Sequence, residues 1–391
     1  MGAAQKGAAG LDADYLREIA DLVLRFLHVV AGIAWIGASF YFIRLDLGLV
    51  PPKMPKEGVA GEYWGVHGGG FYHSEKYKVA PPKLPEHLHW FKWEAYTTWL
   101  SGFALLVVLY WTDPDTRLVD PAVADLAGWQ AAAISGGGLV LVWLLYDIAC
   151  RVLRDDRAVA GFVTALVVAS AWAAGELFAA RAAYLQVGAM LGTIMAANVF
   201  FTIIPAHWEL VRAKQEFREP DPAPGLRAKQ RSVHNNYLTL PVVFTMLAGH
   251  FAFTFASGHA WLVLVALFAL VAAIRHFFNL WHQGRRAWWI PAAVGVAAVA
   301  LAVALAPEDT PRIAGQVTDG EAQAIVSERC TECHAGASAP NGIRLETLDG
   351  MRGNASLIES QVSSRAMPPG NTTGLTDEER GLLVAWAAAA R

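Results

Sequence analysis

Long apolar runs separated by polar segments are the dominant pattern of the first 306 residues. A helix rises about 1.5 Å per residue, so about 20 apolar residues cross the hydrocarbon core of a bilayer. Runs near or above that length lie at 20–43, 95–111, 128–150, 159–177, 182–205, 238–257, 260–279 and 287–306. The pattern therefore predicts eight membrane-spanning helices, and their many alanines and glycines suit close helix packing in lipid.

The pattern changes after Pro307, where the long apolar runs stop. Residues 308–391 are mostly polar with short amphipathic stretches, which predicts a small soluble domain. The expected fold is therefore all-α: an eight-helix transmembrane bundle over residues 1–307, followed by a small helical domain over 308–391. Charged residues make up only 17% of the chain. Soluble proteins have about a quarter, so this composition agrees with a membrane location.

Lysine and arginine are unevenly distributed between the predicted loops. The loops after the first, third, fifth and seventh helices are rich in them, whereas the alternate loops contain few. Because basic loops remain in the cytoplasm, both termini and the C-terminal domain are predicted to face the periplasm of a bacterial inner membrane. The net charge of −3 gives no basic footprint for nucleic acid, so the lipid bilayer is the expected large partner.

The string "CTECH" near the C-terminus contains Cys330, Cys333 and His334. This C-x-x-C-H spacing attaches a c-type haem: the two thiols form thioethers with the porphyrin, and the imidazole is an axial iron ligand. The alternative is half of a zinc site, but Cys150 is the one other cysteine, so a second pair is lacking. The motif therefore predicts that residues 308–391 are a c-type cytochrome domain, in the compartment where bacteria attach this haem.

A second axial ligand for the haem iron is expected downstream of this motif. Met367 lies in the Pro-rich stretch "SSRAMPPGN", and a His–Met pair raises the reduction potential, which suits an electron acceptor. Met351 is the competing candidate. Thr376, followed by acidic residues, predicts the start of a closing helix. One covalent haem c, with His334 and Met367 as iron ligands, is thus the predicted cofactor.

Two histidines lie inside predicted membrane helices. His28 in the first helix and His250 in the sixth are at similar depths from the periplasmic side. Ionisable side chains in lipid are costly and often functional. The pair predicts a second centre, a b-type haem or a metal held between the two helices. The alternative is that each imidazole hydrogen-bonds a neighbouring helix and has no chemical role.

The segment between the first two predicted helices is too long for a simple connector. It is dense in histidine, aromatic residues and glycine, and it includes "GVHGGGFYHSEKY". The glycines allow backbone N–H groups to approach a ligand closely. Esterases also contain HGGG, but the chain has no G-x-S-x-G nucleophile motif, which argues against a hydrolase. An interfacial loop anchored by Trp and Tyr is the alternative.

A second polar segment, "KQRSVHNNYLTLP", opens the sixth predicted helix on the same side of the membrane, and "AHWELV" follows the fifth. Together with the long loop, these segments supply cations, amide groups and aromatic faces. A planar, anionic, nitrogen-rich molecule would need that combination. The chain contains no Rossmann fingerprint and no P-loop, so it offers no visible site for flavin, nicotinamide or ATP.

Five strings carry a family resemblance: "RFLHVVAGIAWIGASFYFI", "HGGGFYHSEKY", "LPEHLHWFKWEAYTTWLSGFAL", "NVFFTIIPAHWELV" and "RSVHNNYLTLPVVFTM". Together they resemble the bacterial membrane-bound, cytochrome c-linked urate oxidases, also called urate hydroxylases. The resemblance extends over essentially the whole chain. It implies oxidation of urate to 5-hydroxyisourate in purine breakdown, with electrons leaving through the cytochrome instead of reducing O₂ to peroxide.

Oxidation of urate with water as the oxygen source removes two electrons and needs a general base, which suits histidine near neutral pH. The candidate bases are His67, His73, His89 and His234. The candidate substrate-binding residues are Arg231 and Lys92 for the anion, Asn235 for the amide edges, and Trp93 and Tyr72 for stacking. The expected electron acceptor is a soluble or membrane cytochrome or a terminal oxidase.

The predicted topology separates the long loop from the haem by a hydrocarbon layer of about 30 Å. A centre held by His28 and His250 would relay electrons across this gap, and a substrate pocket deep in the bundle would remove the need for a relay. Two other functions remain open. One is a membrane dehydrogenase or quinol-linked electron carrier for another small molecule; the other is a non-enzymatic transport or redox-sensor protein.

Overall fold

The computed structural model describes residues 13–54, 56–153, 155–255, 259–306, 317–336, 339, 342–363, 367–368, 371 and 373–390. The chain is mostly helical, with 71% helix and 5% strand. Its first elements are α1 (Ala13–Leu47), β1 (Val59–His67), β2 (Gly70–Tyr77), α2 (Trp93–Leu106), α3 (Pro114–Arg117), α4 (Gly128–Val152) and α5 (Asp156–Leu177). They are followed by α6 (Ala180–Asn198), α7 (Ile204–Gln215), α8 (Pro222–Ala248), α9 (Ala260–His282) and α10 (Trp289–Ala304). Two π-helical segments, Val107–Trp111 and Val199–Ile203, extend α2 and join α6 to α7.

The predicted apolar segments all correspond to helices: each of the eight overlaps one in the structure. Five helices of the described residues are long and apolar enough to cross a membrane: Tyr15–Leu47, Gly128–Val152, Asp156–Leu177, Ala180–Gln215 and Ala260–His282. α10 is also apolar but has only 16 residues. The structure is therefore that of a helical protein with several helices suited to a bilayer.

The sixth predicted segment was misplaced at both ends, because α8 covers residues 222–248 instead of 238–257. The helix begins early because the Asp221 carboxylate accepts a hydrogen bond from the Ala223 N–H and Pro222 occupies the first turn. It ends at Ala248, and Gly249 caps it. His250 therefore lies beyond the helix, in a turn, and its predicted place inside a membrane helix is wrong.

The all-α prediction is wrong for residues 59–77, which form a β-hairpin. β1 and β2 are antiparallel, with Trp64 opposite His73 and His67 opposite Gly70. The turn is made by Gly68 and Gly69, whose φ angles of 58° and 80° lie in the left-handed region. A two-residue hairpin turn with positive φ at both positions favours glycine, so the HGGG string has a backbone role here.

The larger hydrophobic core lies where α4, α5, α8 and α9 pack around α6. The span that contains α6, Ala180–Gln215, is the most buried of the five candidates, and Val187, Leu191 and Ile194 are almost completely covered. The crossing of α6 and α8 is especially close at Gly188. A Cβ added there would lie 2.0 Å from the Thr245 hydroxyl oxygen and 2.7 Å from its Cβ. Only glycine fits that distance without a shift of one helix.

Replacing Gly188 by alanine is therefore expected to destabilise the protein by about 1–3 kcal/mol, because a buried contact becomes overpacked. The measurement is the thermal unfolding midpoint of the purified protein in detergent. Gly192→Ala is the matched control one turn away, because nothing lies within 4 Å of a Cβ added at Gly192. A midpoint for Gly188→Ala equal to that of Gly192→Ala would contradict the close crossing.

The C-terminal residues form a separate small helical unit: α11 (Asp319–Arg329), α12 (Leu348–Gly353), α13 (Ala355–Ser363) and α14 (Asp377–Ala389). Its core includes Val326, Met351 and Leu383. The predicted N-cap at Thr376 is confirmed: its hydroxyl accepts a hydrogen bond from the Glu379 N–H, and the Glu379 carboxylate accepts one from the Thr376 N–H. The hydrogen bond from the Thr376 N–H lowers the pKa of the Glu379 carboxyl group. The predicted domain boundary at 307/308 falls outside the described residues.

Candidate functional site

Four polar side chains form a buried network between α4, α6 and α8. The Tyr146 hydroxyl lies 2.8 Å from the Nδ1 atom of His234 and accepts a hydrogen bond of 2.9 Å from the Asn198 amide. The same amide group donates to the side-chain oxygen of Asn235 at 2.9 Å. Asn235 in turn donates to the Met195 carbonyl at 3.0 Å. The predicted residues His234 and Asn235 are thus brought together, and the side-chain oxygen and nitrogen of Asn235 each have a protein partner.

Arg231, the predicted anion ligand one turn earlier on α8, also has a protein partner. Its guanidinium donates to the Asp147 carboxylate at 2.7 Å, and the side chains of Arg231 and Asp147 are only 5% and 13% exposed. The guanidinium also lies over the Tyr146 ring, 4.9 Å from its centroid. The positive charge of Arg231 is therefore compensated within the helix bundle.

Replacing Asp147 by asparagine should destabilise the protein by about 3–5 kcal/mol, because it leaves the buried Arg231 cation without a counter-charge. The test is the unfolding midpoint in detergent. Arg151→Gln is the matched control: Arg151 bonds the same carboxylate at 2.6 Å, but its side chain is 70% exposed. Its loss should cost less than about 1 kcal/mol. Equal effects of the two substitutions would contradict the structural role of the buried pair.

His234 lines an open groove. Because Asn198 donates to the Tyr146 oxygen, the Tyr146 hydroxyl proton is available to His234 Nδ1, and the proton of the neutral ring then lies on Nε2. The groove has a volume of about 540 Å³. Its lining comprises Asp156, Ala160, Leu226, Arg227, Lys229, Gln230, Val233, His234 and Tyr237. In this tautomer His234 stabilises negative charge instead of accepting a proton.

The hairpin carries three of the predicted residues. His73 Nε2 lies 3.1 Å from the Glu62 carboxylate, and its ring stacks on Trp64 with centroids 4.2 Å apart. A carboxylate at Nε2 holds the proton there and leaves Nδ1 free to accept another. His67 is exposed at the end of β1, and Tyr72 is 56% exposed on β2. Of these, His73 has the setting of a general base.

Lys92 and Trp93 meet a cluster of indoles at the start of α2. The Lys92 ammonium lies 5.8, 5.6 and 5.9 Å from the ring centroids of Trp90, Trp93 and Trp208. Trp90 and Trp208 are stacked, with centroids 4.4 Å apart. The rings of the predicted base His89 and of Phe91 are in a T-shaped arrangement, with their centroids 4.5 Å apart. These contacts are cation–π and aromatic packing, which anchor α7 to the segment before α2.

The three groups of predicted residues remain separate within the described chain: no hydrogen bond or ring contact directly joins the hairpin, the indole cluster and the α8 network. A fourth polar group was missed by the sequence interpretation. It lies where α1, α8 and α9 meet and is centred on Arg275, which is 3% exposed and whose Nε atom donates to the Asn236 side chain. An arginine inside the apolar string "LVAAIRHFFNLWH" was the available signal.

The predicted His28–His250 centre can be compared with the side-chain contacts of His28. His28 Nδ1 lies 2.9 Å from the Thr98 carbonyl and 3.2 Å from the Ser101 hydroxyl, both on α2. Its ring fills the space beside Gly102, where an added Cβ would lie 2.7 Å from it. These contacts agree with the hydrogen-bonding alternative for His28. In the described ranges, no three His, Cys, Asp or Glu side chains form a metal-binding group.

The CTECH string forms a tight turn directly after α11. Its backbone is closed by the His334 N–H, which donates to the Cys330 carbonyl at 2.9 Å. The His334 Nδ1 donates to the Ile343 carbonyl at 3.0 Å, which orients the imidazole and leaves Nε2 as its free ligand atom. Burial raises the pKa of the Cys330 thiol to about 11, so this thiol is protonated at neutral pH. The donor set and its orientation fit a covalently attached haem.

The two candidate methionines have different surroundings. Met351 is completely buried in the core of the C-terminal unit, where it contributes packing. Met367 is half-buried outside the helices, and its backbone is held at both ends: its N–H donates to the Gln361 carbonyl, and its carbonyl accepts from Arg380. A loop methionine fixed by its backbone is the better candidate for an exchangeable ligand position, so Met367 stays the predicted sixth ligand.

Comparison with known proteins assigns the chain to a family through the residues that precede the C-terminal unit. Residues 14–306 match the model of the family described as urate oxidase N-terminal. The match covers the helices from α1 to α10, including the hairpin, and so more than half of the chain. No curated protein and no solved structure gives a significant match to the chain.

Proposed function

The chain belongs to the urate oxidase N-terminal family, and on that premise we propose that it is a membrane-bound oxidoreductase that converts urate to 5-hydroxyisourate. Water supplies the oxygen atom. Urate and one water give 5-hydroxyisourate, two protons and two electrons. The electrons pass to a haem c on the C-terminal domain and from there to a cytochrome or terminal oxidase of the respiratory chain.

The observation that carries this proposal is one chain that combines the family match with a haem c attachment turn. The match alone supports a urate-related oxidoreductase. Cys330, Cys333 and His334 would hold the haem, with Met367 as the second axial ligand. A bound haem c supplies a one-electron acceptor, which makes O₂ unnecessary as the oxidant. The thiols of Cys330 and Cys333 would each form one thioether link to such a haem.

The proposed base is His73. Two protons must leave during the reaction, and this imidazole has a carboxylate partner that orients it and leaves Nδ1 able to accept a proton. The hairpin that carries it packs against the end of α1, where Lys76 bonds Asp46 at 2.6 Å and the Arg44 guanidinium lies 5.5 Å from the Tyr63 ring centroid. The proposed substrate site is therefore at this end of the helix bundle.

The proposed arrangement in the membrane is an eight-helix bundle in a bacterial inner membrane, with both termini periplasmic. The distribution of basic residues between the loops supports it. The hairpin then faces the cytoplasm, where purine breakdown supplies urate. Haem and metal analysis of the purified protein tests whether the helix bundle holds a b-type haem or a metal in addition to the haem c.

Labelled water tests the proposed reaction. The purified full-length protein is incubated with urate and oxidised cytochrome c in ¹⁸O-enriched water, and the product is analysed by mass spectrometry. We expect one ¹⁸O atom in 5-hydroxyisourate, two cytochromes reduced per urate and no hydrogen peroxide. Peroxide formed in proportion to urate, or an oxygen atom derived from O₂, would contradict the proposal.

A further inference from the structure

A buried cationic cluster lies where α1, α8 and α9 meet; we call it the α9 cluster and define it by Arg44, Asn236, Arg275, Asn279 and His282. Asn236, Arg275 and Asn279 are 2%, 3% and 6% exposed. Arg44 and His282 are half-buried at the adjoining helix ends, with the Arg44 guanidinium 3.3 Å from His282 Nδ1. The cluster therefore places two guanidinium groups close to one histidine inside an apolar bundle.

Arg275 lacks a counter-charge. Its Nε atom donates to the Asn236 side-chain oxygen, and its guanidinium lies 3.8 Å from the centroid of the Phe40 ring. Its Nη2 atom is buried and has no hydrogen-bond partner. Within the described part of the chain, no carboxylate lies within salt-bridge distance of Arg275 or Arg44. A buried guanidinium without an anion is strongly disfavoured, so this arrangement favours binding of one.

Two other arginines with a buried, unpaired nitrogen differ from Arg275 in the burial or the charge compensation of their side chains. Arg231 has such an atom, but Asp147 neutralises its charge. Arg17 also has one, but the side chain is half-exposed on α1 and bonds the Val108 carbonyl. Arg275 alone among these three combines almost complete burial with an uncompensated charge. The anion ligand predicted from the sequence, Arg231, is therefore replaced in this inference by Arg275.

An unpaired acceptor accompanies this unpaired donor. The side-chain oxygen of Asn279 is buried and has no hydrogen-bond partner among the residues that the structure describes. Asn279 follows Arg275 by four residues, so the two side chains share one face of α9. A donor and an acceptor on one face complement a ring edge that presents an oxygen beside an N–H group. Urate is an anion at neutral pH with such edges, and chloride or a simple carboxylate would leave Asn279 unsatisfied.

The proposed base and the α9 cluster are joined by a short chain of contacts. Tyr63 of the hairpin lies over the Arg44 guanidinium, and Arg44 contacts His282 at the end of α9. His282 is close enough to both Arg44 and Arg275 to be affected by both charges. The hairpin strand with Tyr63 also carries Glu62, the partner of His73. A substrate held by Arg275 would therefore lie at the end of the bundle that the hairpin covers.

We propose that Arg275 and Asn279 bind the anionic amide edge of urate: Arg275 Nη2 donates to a urate oxygen, and Asn279 Oδ1 accepts from the adjacent ring N–H. This inference rests on the proposed function, because it names the substrate site of that reaction. It makes Arg275 a substrate-binding residue, and Asn236 a positioning residue that holds its Nε atom.

The test measures binding of radiolabelled urate by equilibrium dialysis to the full-length protein, with the haem reduced beforehand by dithionite so that turnover is blocked. We expect Arg275→Gln to raise the Kd for urate about 10- to 100-fold. Arg275→Lys keeps the charge and should lie between this variant and the unaltered protein. Asn279→Ala keeps Arg275 and should raise the Kd about fivefold to tenfold. The control Arg17→Gln should not change it.

The outcomes separate the two proposals. Urate binding that is unchanged in both Arg275→Gln and Asn279→Ala would overturn the inference, since water would then satisfy these atoms, while reduction of the haem by urate would leave the proposed function intact. If Arg275→Gln does not fold, Asn279→Ala and Arg275→Lys decide, because both conserve the interior better. If the unaltered protein neither binds urate nor transfers its electrons, the proposed function fails and this inference with it.

Discussion

Replacing Cys330 and Cys333 together by serine is expected to remove covalent haem from the protein and to abolish electron transfer from urate to added cytochrome c. Both sulfurs are needed for the thioether links, and serine cannot form them. The purified variant should show no haem staining on a denaturing gel. Its rate of urate-dependent cytochrome c reduction should fall to the level without enzyme.

The matched control for this pair is Cys150→Ser. Cys150 is the third cysteine of the chain and lies on α4, with its sulfur 3.9 Å from His234 Nδ1. That variant should retain covalent haem in full amount. Haem that stays covalently bound in the Cys330/Cys333 double variant, or urate oxidation that continues at the normal rate without haem, would rule out the assigned electron route.

Replacing His73 by glutamine should lower kcat for urate about 100-fold or more, because the proposed general base is lost. Glu62→Gln should lower kcat about 10- to 100-fold, since the imidazole loses the partner that fixes its orientation and tautomer. The measurement is the steady-state rate of cytochrome c reduction at saturating urate. The spectrum of the haem should be unchanged in both variants.

Glu75→Gln is the control for the hairpin. Glu75 is the residue directly opposite Glu62 across the two strands and pairs with the exposed Lys56 at 2.8 Å. An exposed pair of this kind contributes little to stability. The Glu75 variant should therefore keep normal kcat. Equal losses in Glu62→Gln and Glu75→Gln would indicate a damaged hairpin, and normal kcat in His73→Gln would exclude His73 as the base.

Hydropathy located every apolar helix but could not place the start of α8. The first half of α8, "PAPGLRAKQRSVHNNY", is too polar to be recognised by an apolar window, although Asp221 and Pro222 provide a helix-start signal. The hairpin was missed for a related reason. Its two strands are short and largely exposed, so they contain no long apolar run. The Gly68–Gly69 turn resembles a ligand-binding loop in the sequence because glycine suits both a tight turn and a close backbone approach.

The partners of the polar residues could not be predicted from the sequence, because they come from other helices. Arg231 and Asn235 share a face of α8 and were assigned to the substrate, yet Asp147 of α4 and Asn198 of α6 engage them. Arg275 looks similar in the sequence, but among the described residues its guanidinium contacts an amide and an aromatic ring and no carboxylate. Which arginine has its charge compensated is a property of the packed helices. The CTECH turn was different, since Cys330, Cys333 and His334 lie within five consecutive residues.

Anaerobic mixing of the oxidised full-length protein with urate tests the central claim most directly. The claim is that the membrane helices remove electrons from urate and deliver them to the haem c on the same chain. We predict that the absorbance bands of reduced haem c appear within the mixing experiment, and that one urate reduces two protein molecules. Haem that stays oxidised in excess urate, and is then reduced normally by dithionite, would contradict the claim.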